Sequence, residues 1–233
     1  MDYSQFWVDY RDRPEFDELD RLDQQIGFTL FFRVLPKTSI LGEYDHQWIR
    51  YDQDAVARDR DSDSNKFKVG LKGDLTEKTT LLGKVGYEFK DYDNPARDDW
   101  RGLIVELEAI YKYREPSQVR LFAARANVES TFEGNNFFVA TYGGVELRHQ
   151  IRPRLLLVLT GLIGSNDYPE TTTVGTETKE RLDRFYEMSA ALRYQIRQWL
   201  AVEGRYDRLV RDSNFSDFDY TNNRVRATVS LTF

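Results

Sequence analysis

The sequence predicts an all-β chain, a transmembrane up-and-down antiparallel β-barrel of about twelve strands, on three observations. Apolar residues recur at every second position along most of the chain, the period of a strand with two unlike faces. Many of these runs exceed the mode of about 5 to 6 residues in globular domains and reach the roughly 9 to 11 that a tilted membrane strand needs. The connections alternate between tight turns and longer polar loops, as expected of strands that run up and down with unequal ends.

Taken in order, the first run spans 4–12 and sets Phe6, Val8 and Tyr10 against Asp9 and Arg11. The second, 24–35, carries Ile26, Phe28, Leu30 and Phe32 with Arg33 opposite, and stops at Pro36-Lys37-Thr38. Proline is tolerated there because no ladder bond needs its missing amide hydrogen. The third, 39–53, presents Glu43 and Asp45, and the fourth, 65–75, alternates Phe67, Val69 and Leu71 with Lys68 and Lys72 before Thr76-Glu77-Lys78. The fifth, 79–92, sets Val85, Tyr87 and Phe89 against Lys84 and Glu88, and the sixth, 100–113, sets Leu103, Val105 and Leu107 against Glu106 and Glu108 before Glu115-Pro116.

The seventh run, 117–129, holds Arg125, but Leu121 to Ala126 give no clear choice of face. In the eighth, 137–150, Val139, Val145 and Leu147 oppose Glu146 and Arg148 before Arg152-Pro153. The ninth, 154–166, opens on a continuous apolar stretch, Leu155 to Leu159. The tenth, 182–196, and eleventh, 198–211, join at Arg197-Gln198; Met188, Ala190 and Leu192 oppose Glu187 and Arg193, and Leu200, Val202 and Tyr206 oppose Glu203 and Arg205. The last, 219–233, alternates Val225, Ala227, Val229, Leu231 and Phe233 with Arg224 and Arg226. Longer polar loops fall at 12–23, 54–64, 93–99, 130–136, 167–181 and 212–217. With no linker, solenoid repeat or composition break, 1–233 reads as a single domain.

The charges opposite the apolar faces decide what the interior holds. An unpaired ion in a dry core costs several kcal/mol, so a face carrying Asp9, Arg11, Arg33, Glu43, Lys68, Lys72, Lys84, Glu88, Glu106, Glu108, Arg125, Glu146, Arg148, Glu187, Arg193, Glu203, Arg205, Arg224 and Arg226 needs water or ion pairing. These residues are the expected pore lining. Their signs alternate between neighbours, with Lys84 and Lys90 near Glu106 and Glu108, and Glu203 and Asp207 near Arg224 and Arg226. Opposite charges across adjacent strands stabilise the pairing modestly, and near balance of sign predicts mild charge selectivity. A soluble sandwich with one solvated face would also accept the charges, but it leaves the strand lengths and loop alternation unexplained.

Composition narrows the classes. The chain has 233 residues, 40% hydrophobic and 31% charged, with a mean hydropathy of -0.64. No apolar run reaches the roughly 18 residues of a membrane helix; barrel strands escape that test because polar residues alternate with apolar ones. Aromatic residues are 14% of the chain, and Trp7, Trp48, Tyr51, Tyr92, Trp100, Tyr113, Tyr168, Tyr194 and Trp199 fall near strand ends, where interfacial girdles form. The absence of cysteine excludes disulfides and thiolate metal sites. A net charge of -6 argues against a nucleic-acid partner. The first residues lack the basic and apolar stretches of a secretory leader, so the sequence reads as a mature domain.

Chemistry finds little purchase. Asp45 and His46 are adjacent on a strand and point to opposite faces, and His149 is the only other histidine, so no catalytic residue is assigned and an enzyme is not expected. Asp59, Asp61 and Asp63 echo a calcium loop, but Ser64 stands where its glycine belongs and the closing glutamate is missing. No metal site or cofactor is expected.

The terminal run resembles the C-terminal signature strand of bacterial outer-membrane β-barrels, whose last aromatic, here Phe233, is read as the insertion signal. The stretch Phe32-Arg33-Val34-Leu35-Pro36-Lys37-Thr38 followed by Glu43-Tyr44 and Trp48 is similar to the strand-turn-strand hairpin of the putative β-barrel porin family 2. These resemblances imply an outer-membrane protein with periplasmic termini, whose partners are the lipid bilayer, the barrel insertion machinery and small ions or solutes. They imply a narrow charged pore linked to exopolysaccharide export; the alternative is a structural or accessory barrel with an occluded lumen.

Overall fold

The fold was analysed in a computed structural model that describes residues 1–9, 19–52, 60–131 and 135–232. Arg11 and Phe233 lie outside the described residues, as do Tyr10 and Asp59. Twelve strands follow one another: β1 (Asp2–Val8), β2 (Arg21–Leu35), β3 (Thr38–Tyr51), β4 (Ser62–Asp74), β5 (Thr79–Tyr92), β6 (Trp100–Arg114), β7 (Ser117–Glu129), β8 (Phe137–Arg152), β9 (Leu155–Val174), β10 (Glu177–Arg197), β11 (Leu200–Ser213) and β12 (Tyr220–Leu231). They form one sheet in sequence order, with β1–β2, β2–β3, β3–β4, β7–β8, β8–β9, β9–β10, β10–β11 and β11–β12 paired antiparallel. A 3-10 turn, Ser216–Phe218, separates β11 from β12. Chain contacts divide into two compact units, Met1–Gly73 with Gly83–Val105, and Asp74–Leu82 with Glu106–Phe233.

In the first unit the register puts Phe28 opposite Tyr44 and Tyr44 opposite Phe67, so the apolar alternation of β2, β3 and β4 falls on one face. Gly27 opposite Asp45, and Glu43 opposite Lys68, mark the other. The faces of β1 invert the expected assignment. Phe6 pairs with Asp23 and Val8 with Arg21 on the charged side, while Tyr3 and Trp7 join Ile26 and Leu22 on the apolar side. Both sides of this short strand are apolar, so only pairing with β2 fixes its faces. Asp9, one residue past the strand end, loses the alternation that assigned it to the charged side.

In the second unit, Leu121, Val145 and Gly161 align across β7, β8 and β9, and Met188, Leu192, Val202 and Val229 continue the apolar face across β10 to β12. The continuous run of β9 resolves by register. Leu155, Leu157 and Leu159 take the apolar face, while Leu156 and Val158 pair with Gln150 and Arg148 on the other.

The loop expected at 167–181 is instead an extension of the β9–β10 hairpin to a tight turn at Gly175-Thr176. Gly175 has φ of 61° there, in the left-handed region where glycine alone avoids a Cβ clash. Pro169 and Glu170 fall where the register skips from Thr171–Glu180 to Tyr168–Arg181. Such a bulge is where a strand accommodates a residue without an amide hydrogen.

Burial runs opposite to that of a water-soluble domain. Phe32, Val69 and Ile163 on the apolar face are 64%, 62% and 63% exposed, while Glu88 and Asp183 on the charged face are 2% and 0% exposed. Contiguous apolar exposure of this kind requires an apolar surrounding, which excludes the sandwich with a solvated charged face. Replacing Ile163 with arginine should lower stability by about 2–4 kcal/mol in urea unfolding from phospholipid vesicles if the site lies near the bilayer midplane; a change below a few tenths would contradict this placement.

Candidate functional site

The charged face is built differently in the two units. In the first, Glu43 accepts a hydrogen bond from Lys68 at 2.5 Å and pairs with Lys84 at 2.9 Å, and Lys68 also reaches Asp45 at 2.8 Å. One step along, Ser64 Oγ donates to Glu88 at 2.7 Å, Lys66 lies 3.7 Å from the same carboxylate, and the Lys66 ammonium donates to Gln47 at 3.0 Å. At the strand ends Arg21 pairs with Asp23 at 3.0 Å and lies over the Tyr51 ring, and Lys90 lies 5.2 Å from the centroid of Tyr92.

Glycines make room for these groups. A Cβ on Gly86 would meet Lys68 Cγ at 2.7 Å, one on Gly70 would meet Lys84 Cγ at 3.0 Å, and one on Gly27 would meet an Asp45 oxygen at 2.6 Å. The aliphatic stems of both lysines therefore cross bare backbone, and their ammonium ends reach the carboxylates.

The second unit holds a more deeply buried group. Arg181 donates through Nε and Nη2 to Asp183 at 2.9 and 2.6 Å, with the pair 3% and 0% exposed, and Arg211 approaches the same carboxylate at 3.7 Å. Phe218 stacks 3.7 Å from the Arg181 guanidinium, Tyr168 lies 4.5 Å away on the strand side, and Arg211 lies over Tyr220. The fork of arginine fits a carboxylate edge-on and leaves its flat faces to aromatics. Elsewhere Arg120 pairs with Glu108 at 2.5 Å and stacks on Phe122, and Arg148 lies 3.4 Å from Glu146. Arg205 donates to Asp207 at 2.6 Å, which Arg226 approaches at 4.0 Å. With Glu187, Leu209, Asn222 and Arg224 these three line a cleft of about 270 Å³.

Most residues singled out from the sequence keep the charged face. Arg33 lies opposite Ser39, Lys72 also opposite Ser39, and Arg193 opposite Glu203; Glu203 faces Thr228, and Arg224 faces Asp207. Glu106 precedes Glu108 by two residues and shares its side of β6. Arg125 is corrected. It pairs with Thr141 on the side of Leu121 and Val145 and donates to the Thr141 hydroxyl at 3.0 Å. The reason is that β7 is apolar on both sides, with Phe122 and Ala124 beside Arg120.

Register also reveals partners that alternation did not single out, namely Asp23, Lys66, Arg120, Arg181 and Arg211. Arg181 was hidden in the supposed loop. For Lys66 the available signal is its place two residues before Lys68 in the alternation of β4. Asp45 and His46 do point apart: His46 Nδ1 lies 2.9 Å from Asn65 Oδ1 on the apolar side, and His149 Nδ1 lies 2.7 Å from the Tyr113 hydroxyl. Asp61 accepts from the Tyr51 amide and Asp63 from Arg50. Among the described residues no acid or histidine group is arranged to hold a metal.

Residues 10–233 match the family described as Putative beta-barrel porin 2. The chain belongs to this family. No curated protein matches it. Its fold is similar to that of the siderophore receptor PirA from Pseudomonas aeruginosa at 9% identity and TM-score 0.59, covering 99% of this chain and 39% of that one. The FrpB iron transporter from Neisseria meningitidis is similar at 9% identity and TM-score 0.62, with 99% and 44% covered. The outer membrane channel DcaP of Acinetobacter baumannii is similar at 14% identity and TM-score 0.60, with 91% and 63% covered. This chain thus spans less than two thirds of each of these proteins, and the likeness is one of fold.

Removing the carboxylate of Asp183 strands two guanidinium groups. The Asp183→Asn variant should lose about 3–5 kcal/mol in vesicle unfolding, whereas Lys72→Gln, at an exposed position, should stay within about 0.5 kcal/mol. Equal effects of the two would contradict the pairing described.

Proposed function

We propose that the sheet closes into one outer-membrane barrel domain whose charged face lines a narrow pore for ions or small solutes. The observation that carries this reading is the inversion of burial, with apolar side chains exposed and ion pairs covered. The family's description as a porin supports it. A barrel of about twelve strands is wider than filled eight-stranded barrels and narrower than 16-stranded porins. On this reading the bilayer contacts the apolar face, the termini are periplasmic, and the insertion machinery recognises the terminal strand ending in Phe233. A link to exopolysaccharide export is the narrower role that the family resemblance carries. No reaction chemistry is assigned, because the two histidines bond to Asn65 and Tyr113 rather than to a carboxylate.

A second reading has its own support. Asp183, Arg181, Glu88 and Lys90 are almost fully covered, as in a scaffold whose lumen is occluded by its own side chains. Planar-bilayer recording separates the two. Stepwise unitary currents from protein with heat-modifiable gel mobility are the expected result; a folded, bilayer-inserted and silent protein would overturn the pore in favour of the scaffold.

A further inference from the structure

The ion pairs on the charged face leave a remainder, and its sign is positive. In the first unit Glu43 is neutralised by two lysines, Asp45 shares Lys68, and Glu88 and Asp23 each have a basic neighbour. In the second, Asp183 and Asp207 each meet two arginines and Glu108 meets one. Arg33 and Lys72 in the first unit, and Lys112, Arg193 and Arg224 in the second, have no ion-pair partner among the described residues and are exposed. Among the described residues, the acids of this face left without a bridge are Asp2, Asp74, Glu187 and Glu203, fewer than the unbridged bases. Glu187 shares the cleft with Arg224, and Glu203 is opposite Arg193 in the register, so the surplus rests chiefly on Arg33, Lys72 and Lys112 and on the acids that each meet two bases.

The remainder is also placed unevenly along the strands. Arg33 precedes the Pro36-Lys37 turn, Lys72 lies two residues before Asp74 at the end of β4 and the turn at 75–78, Lys112 precedes Glu115-Pro116, and Arg193 precedes Gln198-Trp199. All four sit toward tight turns. The opposite, longer connections carry Asp52, Asp93, Asp98, Asp99, Asp212, Asp217 and Asp219. The net charge of -6 therefore misrepresents the lining, because acids concentrate at the loop end and inside ion pairs. A surplus of one sign within low-dielectric walls focuses its field on the passage and concentrates counter-ions there.

We propose that the pore prefers anions, small carboxylates and phosphates being the class that fits, and that the unpaired basic residues near the tight turns set this preference. The proposal rests on the pore reading given above and sharpens the mild selectivity expected from the sequence. Its test is the zero-current potential of single channels across a potassium chloride gradient, for the native chain and for the Lys72→Gln, Lys112→Gln, Arg193→Gln variant, with heat-modifiable mobility confirming that both fold. The native channel should reverse at the sign set by chloride, and the variant should shift toward zero or toward potassium. Currents that reverse at the potassium sign, or a variant indistinguishable from the native channel, would overturn the proposal and leave the pore intact. Absence of any current in the native chain would overturn the pore and the preference together. If the variant alone fails to fold, the native reversal potential still decides the sign.

Discussion

The constraint on which the structure depends is the pairing of strict two-residue alternation with inverted burial. A strand turns successive side chains to opposite faces, so placing Val69 outward forces Lys68 inward, and placing Met188 outward forces Glu187 inward. A soluble sheet would bury the first set and wet the second. Here the apolar set is exposed and ions such as Asp45, Glu88, Lys90, Arg181 and Asp183 are covered. Ions can be covered only where partners satisfy them, which explains why Glu43, Glu88 and Asp183 sit among lysines, arginines and a serine rather than against bare apolar surface.

From that constraint the finer construction follows. Lysine needs a route from its strand to a carboxylate one or two strands away, and Gly70 and Gly86 open it. Arginine needs a carboxylate edge and flat neighbours, and Asp183, Tyr168 and Phe218 supply them. The 3-10 turn and the extended β9–β10 hairpin are tied to the wall through this one guanidinium. The same pairing consumes most of the acids on the face, so in a chain that is acidic overall the unbridged bases of this face outnumber its unbridged acids.

Much of this was legible in the sequence wherever one face was apolar and the other charged. The alternation of β2, β4, β5, β11 and β12 gave their existence and faces, and the tight turns gave their order. Legibility failed where both faces were alike. In β1, Phe6 and Val8 compete with Tyr3 and Trp7, and alternation alone favours the set that the register puts on the charged side. In β7 the alternation is blurred, and Arg125 was assigned to the side opposite its register. At 168–180 the chain is largely polar on both sides, so alternation does not reveal a strand there although Thr171 to Thr173 favour extended backbone, and the Arg181 group stays hidden. Which base meets which acid depends on register between strands, and no single strand carries that information.

The most direct test uses the chain's lack of cysteine. Single cysteines replacing Tyr186 through Leu192, each spin-labelled in vesicles, report collision with lipid-soluble oxygen and with a water-soluble nickel chelate. Oxygen access should peak at positions 186, 188, 190 and 192 and fall at 187, 189 and 191. A profile with no two-residue period, or one with the peaks at Glu187, Ser189 and Ala191, would contradict the account.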